Sequence, residues 1–195
     1  MVNWWAVGTS DYLRYHDEEW GRPVTADDLL FERLTLEAFQ SGLSWLTILR
    51  KREAFRDAFE RFRIEAVAGF GDGDVARLME DARIVRNRRK IDATIANAIA
   101  ARDLLAEEGE GALTRLIWSF APGSQPAPRE HGDLVSTTPE SKALAAELKA
   151  RRFRFVGPTT AYALMQACGL VNDHVRGCAV RADVEAERRA VSGGP

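Results

Sequence analysis

A carboxylate falls on the face of a predicted helix that should be buried. Residues 28–40 show helical spacing of apolar side chains, and Leu30, Leu34 and Glu37 recur there at i, i+4 and i+7. A buried carboxylate destabilises the folded state unless a partner offsets its charge. Two interpretations follow: Glu37 binds a ligand, or it lies at the edge of this face and pairs with Arg33 one turn earlier.

Residues suited to holding a nucleobase follow Glu37 along the chain. The run 37–45 contains Gln40 and Trp45 as well as Glu37. An aromatic ring can stack on a base while a nearby polar group forms hydrogen bonds with its edge. This combination favours a base-binding pocket beside Glu37.

The segment 151–161 is typical of a helix-hairpin-helix unit. Its sequence is Arg-Arg-Phe-Arg-Phe-Val-Gly-Pro-Thr-Thr-Ala, and helices are predicted on both sides of it. Gly157 would let the backbone approach a phosphate, and free N–H groups after Pro158 would supply donors at the positive end of a helix dipole. An ordinary turn between packed helices is the alternative, although the flanking arginines favour phosphate.

Five basic residues lie close together in the middle of the chain: Arg83, Arg86, Arg88, Arg89 and Lys90. They indicate either a second contact with a phosphate backbone or a solvated helix face. The lysines of the chain are Lys51, Lys90, Lys142 and Lys149. None lies in an apolar context of the kind that activates a Schiff-base nucleophile, so a lyase mechanism is not expected.

His16, His174 and Cys178 are candidate metal ligands. Cys178 follows His174 at i+4, a spacing that can place two ligands on one ion. Three such groups are one short of a closed structural zinc site, and so sparse a set also occurs in proteins without metal. The residues alone leave both interpretations open.

Helical spacing recurs along most of the chain and predicts an all-α fold. Helices are expected at about 28–40, 45–60, 64–68, 73–82, 87–107, 111–119, 139–151 and 159–168. Thr25 or Asp27 is the expected cap of the first. A Pro- and Gly-rich stretch at about 121–137 predicts an irregular connection between two closely packed lobes, and the charged, then Gly-rich residues 183–195 predict a loosely held C-terminal tail.

The composition excludes several classes of protein. The 195 residues include 27 Lys and Arg against 29 Asp and Glu, so the chain is not a polycation and any contact with nucleic acid must be local. Two cysteines, no signal-peptide pattern and no apolar run of about 18 residues argue against a disulfide scaffold and a membrane span. We expect a monomer in a reducing cytoplasm, because no heptad pattern or large apolar stripe predicts an oligomer.

Four blocks of sequence together closely resemble the bacterial DNA-3-methyladenine glycosylase I family. In order, they are residues 15–21 (Tyr-His-Asp-Glu-Glu-Trp-Gly), 36–45 (Leu-Glu through Gly-Leu-Ser-Trp), 153–160 and 165–175 (Met-Gln-Ala-Cys-Gly-Leu-Val-Asn-Asp-His-Val). The resemblance covers about residues 4–178. It implies an all-helical member of the helix-hairpin-helix DNA glycosylase superfamily, with one glycosylase domain over residues 1–182 and the helix-hairpin-helix at about 139–168.

The resemblance also implies a function and assigns residues to it. The family hydrolyses the N-glycosidic bond of 3-methyladenine in alkylated double-stranded DNA, after the damaged nucleotide has been flipped out. Glu37 matches the carboxylate that recognises the base and is the expected catalytic residue, while Tyr12 and Trp45 match the rings that enclose the base, with Tyr15 and Trp20 nearby. Contacts with the DNA backbone are expected from the hairpin residues Arg154, Val156, Gly157, Thr159 and Thr160.

Two positions differ from related patterns. Many relatives in the wider superfamily carry a catalytic aspartate after the hairpin, where this chain has Asn172, as is usual for the type I family. The family's zinc site combines residues matching His16, His174 and Cys178 with an N-terminal Cys, and the Cys position is Asn3 here. Because Asn is a poor zinc ligand, we expect structural zinc to be bound weakly or not at all, with hydrogen bonds joining the remaining three groups.

A non-catalytic helix-hairpin-helix module that binds alkylation lesions is the alternative function. The absence of the superfamily aspartate is compatible with it. The presence of Glu37, Tyr12 and Trp45 favours the enzyme, because a module that only held phosphates would not need them.

Overall fold

The computed structural model describes residues 8–192, and its regular structure is helical. The ten α-helices in this part of the chain are α1 (Ser10–Glu18), α2 (Asp27–Gln40), α3 (Trp45–Ala58), α4 (Ile64–Ala68), α5 (Asp72–Glu80), α6 (Arg88–Glu108), α7 (Ala112–Trp118), α8 (Pro139–Ala150), α9 (Pro158–Ala167) and α10 (Arg181–Ser192). Short 3-10 helices lie at Glu60–Phe62 and His131–Asp133, and residues 8–192 contain no strand. The all-α prediction is confirmed. None of the described helices has the length and apolar character needed to cross a membrane.

Helix α2 lies at the centre of the hydrophobic core. It packs against α3, α4, α6, α7 and α9 and is buried on nearly all sides. Phenylalanines of α2, α3 and the segment that follows α3 fill the space around it, namely Phe31, Phe39, Phe55, Phe59 and Phe62, and none of them is exposed. Because cores of this kind are close-packed, α2 holds its side chains in fixed positions.

The start of α2 differs from the prediction. Neither Thr25 nor Asp27 caps the helix, whose N-cap position is Ala26 without a side-chain hydrogen bond. The Asp27 carboxylate instead accepts the N–H groups of Gly111 and Thr114, at 2.8 Å each, and so caps α7. A residue chosen as a local cap therefore joins two helices that are distant in the sequence.

The connection between α7 and α8 is irregular apart from its 3-10 turn, and its middle is anchored. The Gln125 side chain accepts the Asn172 N–H at 2.8 Å and donates to the Asp173 carboxylate at 2.6 Å. Asp173 also accepts hydrogen bonds from Tyr162 (2.8 Å) and Gln166 (2.7 Å). The buried Asp173 carboxylate thus fixes the connection to α9 and to the segment that follows α9.

The prediction of a loosely held tail is wrong for residues 183–192, which belong to α10. Val184 is fully buried. The Arg188 guanidinium donates to the carbonyl oxygens of Gly169 and Leu170, at 2.5 and 2.6 Å, and satisfies backbone acceptors just beyond the end of α9. Charge suggested an exposed terminus, but these arginine contacts and one apolar anchor dock the helix.

Gly169 offers a test of how closely the chain packs behind α9. Its φ is +79°, and a Cβ there would lie 2.7 Å from both the Gly21 carbonyl oxygen and the Pro23 nitrogen. Because both neighbours are backbone atoms, we expect Gly169→Ala to lower the free energy of unfolding by about 2–5 kcal/mol. Urea unfolding measures this change.

Gly73→Ala is the matched control. Gly73 lies within α5, where a Cβ would meet open space, so alanine should leave stability unchanged or raise it by about 0.5–1 kcal/mol. Equal stabilities of the two variants would contradict the close approach at Gly169.

Candidate functional site

Glu37 is buried in α2 without a hydrogen bond from any other described residue to its carboxylate. Its exposed fraction is 6%. Burial raises the pKa of the Glu37 carboxyl to about 8, and the positive charge of Arg33 opposes this rise only in part. At neutral pH the carboxyl is therefore mostly protonated, and a bound cation would favour its ionised form.

Arg33 does not form the ion pair with Glu37 that was one interpretation of the sequence. It donates instead to Glu19 at 3.0 Å, and Arg52 binds the same carboxylate through both of its terminal nitrogens. Burial tends to raise the pKa of Glu19, but the hydrogen bonds and charges of Arg52 and Arg33 outweigh it and lower that pKa to about 2. The cation closest in sequence to Glu37 is thus already neutralised by another carboxylate.

Aromatic side chains of α1 and α3 lie close to Glu37. The Tyr15 and Trp45 rings are 5.4 Å apart, and the Tyr12 hydroxyl accepts the Leu46 N–H at 3.1 Å at the start of α3. Burial, with a further contribution from the negative charge of Glu37, raises the pKa of both Tyr12 and Tyr15. The Trp45 indole N–H is buried without a partner among the described residues. These helices therefore bring together three of the predicted aromatic residues and a carboxyl, and the Trp45 indole adds a donor that a ligand can use.

Trp20 lies beside the histidines. Its ring stacks on His16 at 5.9 Å and meets His174 edge-on at 4.7 Å. Contact between Trp20 and a base stays a prediction.

The three candidate metal ligands are brought together. His16, His174 and Cys178 are all buried, and their donor atoms lie within 4.8 Å of one another. His16 Nε2 and Cys178 Sγ are 3.9 Å apart. This donor set fits three of the four ligands of a structural zinc site. Asn3, the predicted fourth position, lies outside the described residues.

Asn172 orients one of these histidines. The Asn172 amide nitrogen donates to the Arg181 carbonyl oxygen (3.2 Å) and to Glu185 (3.1 Å), so its oxygen faces His174 Nδ1 at 3.0 Å. Burial, with smaller contributions from nearby positive charges, lowers the pKa of His174 to about 4. His174 Nε2 also faces the His16 carbonyl oxygen at 3.3 Å. A neutral ring with its proton on Nδ1, donated to Asn172, keeps the Nε2 lone pair, and this is the tautomer that would bind a metal.

The hairpin between α8 and α9 exposes a glycine in an ordinary conformation. Arg152 and Phe155 take left-handed φ values of 70° and 58°, Val156 is buried, and Arg154 is exposed. Gly157 has a φ of −87°, and no atom lies within 4 Å of the position that a Cβ would take. Any side chain at position 157 would therefore occupy the open space in front of α9.

The N-terminus of α9 presents hydrogen-bond donors to that space. The first hydrogen bond of the helix joins the Ala161 N–H to the Gly157 carbonyl oxygen at 2.8 Å. Thr159 and Thr160 precede that bond, so their N–H groups have no acceptor within α9. Thr159 is exposed and Thr160 is half-buried.

The basic run divides into paired, unpaired and buried residues. Arg83 and Arg88 each form an ion pair with an aspartate, at 2.9 and 2.8 Å. Arg86 and Arg89 are exposed and have no carboxylate partner in the part of the chain that the structure describes. The run as a whole therefore offers fewer free cations than its sequence suggests.

Lys90 departs from both interpretations of the run, because it is neither a solvated residue nor available to a phosphate. It is 8% exposed, and its ammonium group donates to the carbonyl oxygens of Phe39 and Ser41 at 2.8 and 2.7 Å. It thus caps the C-terminal end of α2, which carries Glu37. A lysine inside a basic run gave no sign of this contact in the sequence.

Comparison with known proteins extends these observations to a family. Residues 5–182 match the methyladenine glycosylase family. The DNA-3-methyladenine glycosylase 1 of Escherichia coli (strain K12) is 45% identical over 177 residues, which cover 89% of this chain and 93% of that protein.

Solved structures share the fold. A crystal structure of a 3-methyladenine DNA glycosylase I is 42% identical, with a TM-score of 0.87 and coverage of 92% of this chain and 98% of the other. A variant of such an enzyme in complex with 3-methyladenine is 32% identical, with a TM-score of 0.84 and coverage of 90% and 94%. Agreement of this extent in both sequence and fold shows that the chain belongs to the methyladenine glycosylase family.

Proposed function

We propose that this chain is a DNA glycosylase that hydrolyses the N-glycosidic bond of 3-methyladenine in alkylated double-stranded DNA. It acts as a monomer in the bacterial cytoplasm, at the nucleoid, and does not cleave the strand. The observation that carries the proposal is the buried Glu37 carboxyl, which lies among aromatic rings and has no hydrogen-bond partner among the residues that the structure describes. A flat cationic base supplies the charge and the stacking surface that this arrangement lacks. Membership of the family and a relative solved with 3-methyladenine support this substrate.

The chemistry requires little acid catalysis. Methylation at N3 makes the adenine cationic and weakens the bond between N9 and C1′ of the sugar. When that bond breaks, its electron pair neutralises the departing base, while water adds to C1′ and releases a proton. The leaving group needs no protonation, so Asn172 can stand where the superfamily aspartate acts. Glu37 holds the flipped base by a charge-assisted hydrogen bond, and Tyr12 and Trp45 stack on it.

The hairpin holds the DNA backbone while the base is in the pocket. The N–H groups of Thr159 and Thr160 and the dipole of α9 favour a phosphate, which approaches through the open space in front of Gly157. Arg154 adds positive charge, and Val156 packs beneath the hairpin and keeps its shape. These contacts read phosphate rather than sequence, as expected of an enzyme that searches for damage.

Hydrolysis is favoured over a lyase reaction by the positions of the lysines. Lys90 is held by two carbonyl oxygens, and Lys51 donates to the Arg83 carbonyl oxygen at 2.7 Å. Lys142 and Lys149 are exposed on α8. No described lysine is placed as a nucleophile beside Glu37.

Release of free 3-methyladenine from methylated duplex DNA tests the proposal. We expect the parent protein to release the base without strand breaks before heat or alkali treatment. In Glu37→Gln, release should fall about ten- to a hundredfold, since the loss of a charge-assisted hydrogen bond costs about 1–3 kcal/mol. Affinity for undamaged DNA should not change, because Glu37 makes no phosphate contact.

The outcomes separate the two candidate functions. Tight binding of methylated DNA without release of base would favour the non-catalytic lesion-binding module. Release by Glu37→Gln at the parent rate would show that the pocket is assigned to the wrong residue.

The raised pKa of Glu37 also links stability to pH. The carboxyl has an ordinary pKa of 4.5 when unfolded and about 8 when folded, so the folded state binds more protons between these values. Its contribution to stability is fully present below pH 4.5 and is lost as the pH rises through 8. We expect Glu37→Gln to raise the melting temperature over that of the parent more at pH 9 than at pH 5. Calorimetry of both proteins checks this, and an equal difference at the two pH values would contradict it.

We infer that the cluster of His16, His174 and Cys178 binds zinc weakly or not at all, because Asn3 replaces the fourth ligand. A bound zinc would serve to hold α1 against the segment before α10 and would not take part in the reaction. After dialysis against a chelator, elemental analysis should find far less than one zinc per chain. Asn3→Cys should bring the content to about one and raise the melting temperature only when zinc is present. Stoichiometric zinc in the dialysed parent would overturn this inference.

A further inference from the structure

Helix α6 carries polar side chains on a buried face. Lys90, Thr94 and Asn97 are 8%, 2% and 1% exposed, and their spacing places them in one row along the helix. Buried polar groups destabilise a protein unless they are hydrogen-bonded. The Thr94 hydroxyl bonds within α6, to the Lys90 carbonyl oxygen at 2.9 Å. Lys90 and Asn97 instead bind the backbone of two other segments.

Lys90 binds the backbone next to the base pocket. Its carbonyl partners, Phe39 and Ser41, lie two and four residues beyond Glu37. From Ser41 the chain turns directly into α3, which begins at Trp45. Lys90 therefore holds the turn whose two ends carry the carboxyl and the indole of the pocket.

Asn97 binds the backbone of the hairpin. Its side-chain oxygen accepts the Arg154 N–H at 2.7 Å, and its amide nitrogen donates to the Arg154 carbonyl oxygen at 3.0 Å. On either side of Arg154, two non-glycine residues, Arg152 and Phe155, take left-handed φ values that are stable only when the surroundings enforce them. The Arg89 guanidinium also lies 5.7 Å from the centre of the Phe155 ring. The conformation of the hairpin thus depends on α6.

The two contacts are seven residues apart on one helix. Seven residues are about two turns and span about 10.5 Å, so Lys90 and Asn97 lie on the same face at a fixed separation. A flipped base reaches its pocket only if the phosphate contact and the pocket keep a matching distance. A continuous helix anchored at both points supplies that constraint.

We propose that Lys90 and Asn97 are positioning residues that set the distance between the base pocket and the phosphate-binding hairpin, an inference that rests on the proposed function. Each acts through the backbone it holds, Lys90 on the pocket and Asn97 on the hairpin. Replacing Asn97 should therefore weaken DNA binding, and replacing Lys90 should weaken base binding and catalysis. A general loss of stability would impair both functions in both variants.

The first variant is Asn97→Leu, which removes both hydrogen bonds and keeps a similar volume. We expect its affinity for undamaged duplex DNA to fall about tenfold and its KM for methylated DNA to rise by a similar factor, the size expected when a pair of hydrogen bonds is lost. The kcat at saturating DNA and the affinity for free 3-methyladenine should match the parent. Asn97→Asp keeps the acceptor for the Arg154 N–H and should lose less DNA affinity than Asn97→Leu.

The second variant is Lys90→Met, which removes the donors from the turn after α2. We expect kcat and the affinity for free 3-methyladenine to fall about tenfold, with undamaged DNA bound as by the parent. Lys90→Arg retains cationic donors and should recover part of both losses. Thr94→Val is the matched control, because it removes a buried hydroxyl of the same row that binds neither segment, and it should match the parent in all four measurements.

Amide hydrogen exchange reports on the hairpin directly. The Arg154 amide should be protected in the parent and exchange faster in Asn97→Leu and in Asn97→Asp, to different degrees. An unprotected Arg154 amide in the parent would overturn the proposal even if a variant failed to fold. So would an Asn97→Leu protein that lost free-base affinity and DNA affinity equally.

These measurements separate this proposal from the proposed function. Binding of undamaged DNA and of free base requires no catalysis. A parent protein that released no 3-methyladenine would refute the proposed function. The different effects of Asn97→Leu and Lys90→Met on DNA affinity and free-base affinity would still test the positioning role of Lys90 and Asn97.

Discussion

A buried carboxyl group without a hydrogen-bond partner lowers the stability of a folded protein, and within residues 8–192 Glu37, in the last turn of α2, is such a group. The close-packed core around α2 prevents the side chain from turning towards water. Arg33, one turn earlier, could neutralise it, but Glu19 takes that arginine together with Arg52. Glu19 thus has two arginine partners, whereas Glu37 is left available to a ligand. In the proposed function, this division of charge is what favours a cationic base in the pocket.

The rest of the fold keeps that pocket at a fixed position relative to the hairpin that we propose to bind DNA. Helix α9 packs against both α2 and α8, so the hairpin and the carboxyl share one rigid core. Behind α9, Arg188 of α10 binds backbone carbonyls, and Asp173 gathers donors from α9 and from the long connection. The histidine and cysteine cluster joins α1, which carries Tyr12 and Tyr15, to the segment before α10. Hydrogen bonds between distant segments therefore hold these helices in place.

The sequence predicted what depends on local spacing. The period of apolar residues predicted the eight helices from α2 to α9, and their ends agree to within a few residues because caps and prolines act over short distances. The order of the four sequence blocks identified the family, which the comparisons confirm. Residue types indicated a pocket around Glu37, Gln40 and Trp45, and the resemblance to the family added Tyr12; their roles there stay predictions.

The tertiary structure decided which partner each polar side chain has. Asp27, expected as a local cap, binds the start of α7, and Lys90, expected in a basic surface, binds the end of α2. Arg33 was a local partner for Glu37 by spacing but binds Glu19, and the charged segment 183–192 docks as a helix through Arg188. Most of these contacts join residues that are far apart in the chain. In the case of Arg33, two carboxylates were available, and the packing of the helices determined which of them it binds. A local pattern records the period of a helix, whereas the choice of a distant partner depends on how the helices pack, which no single segment contains.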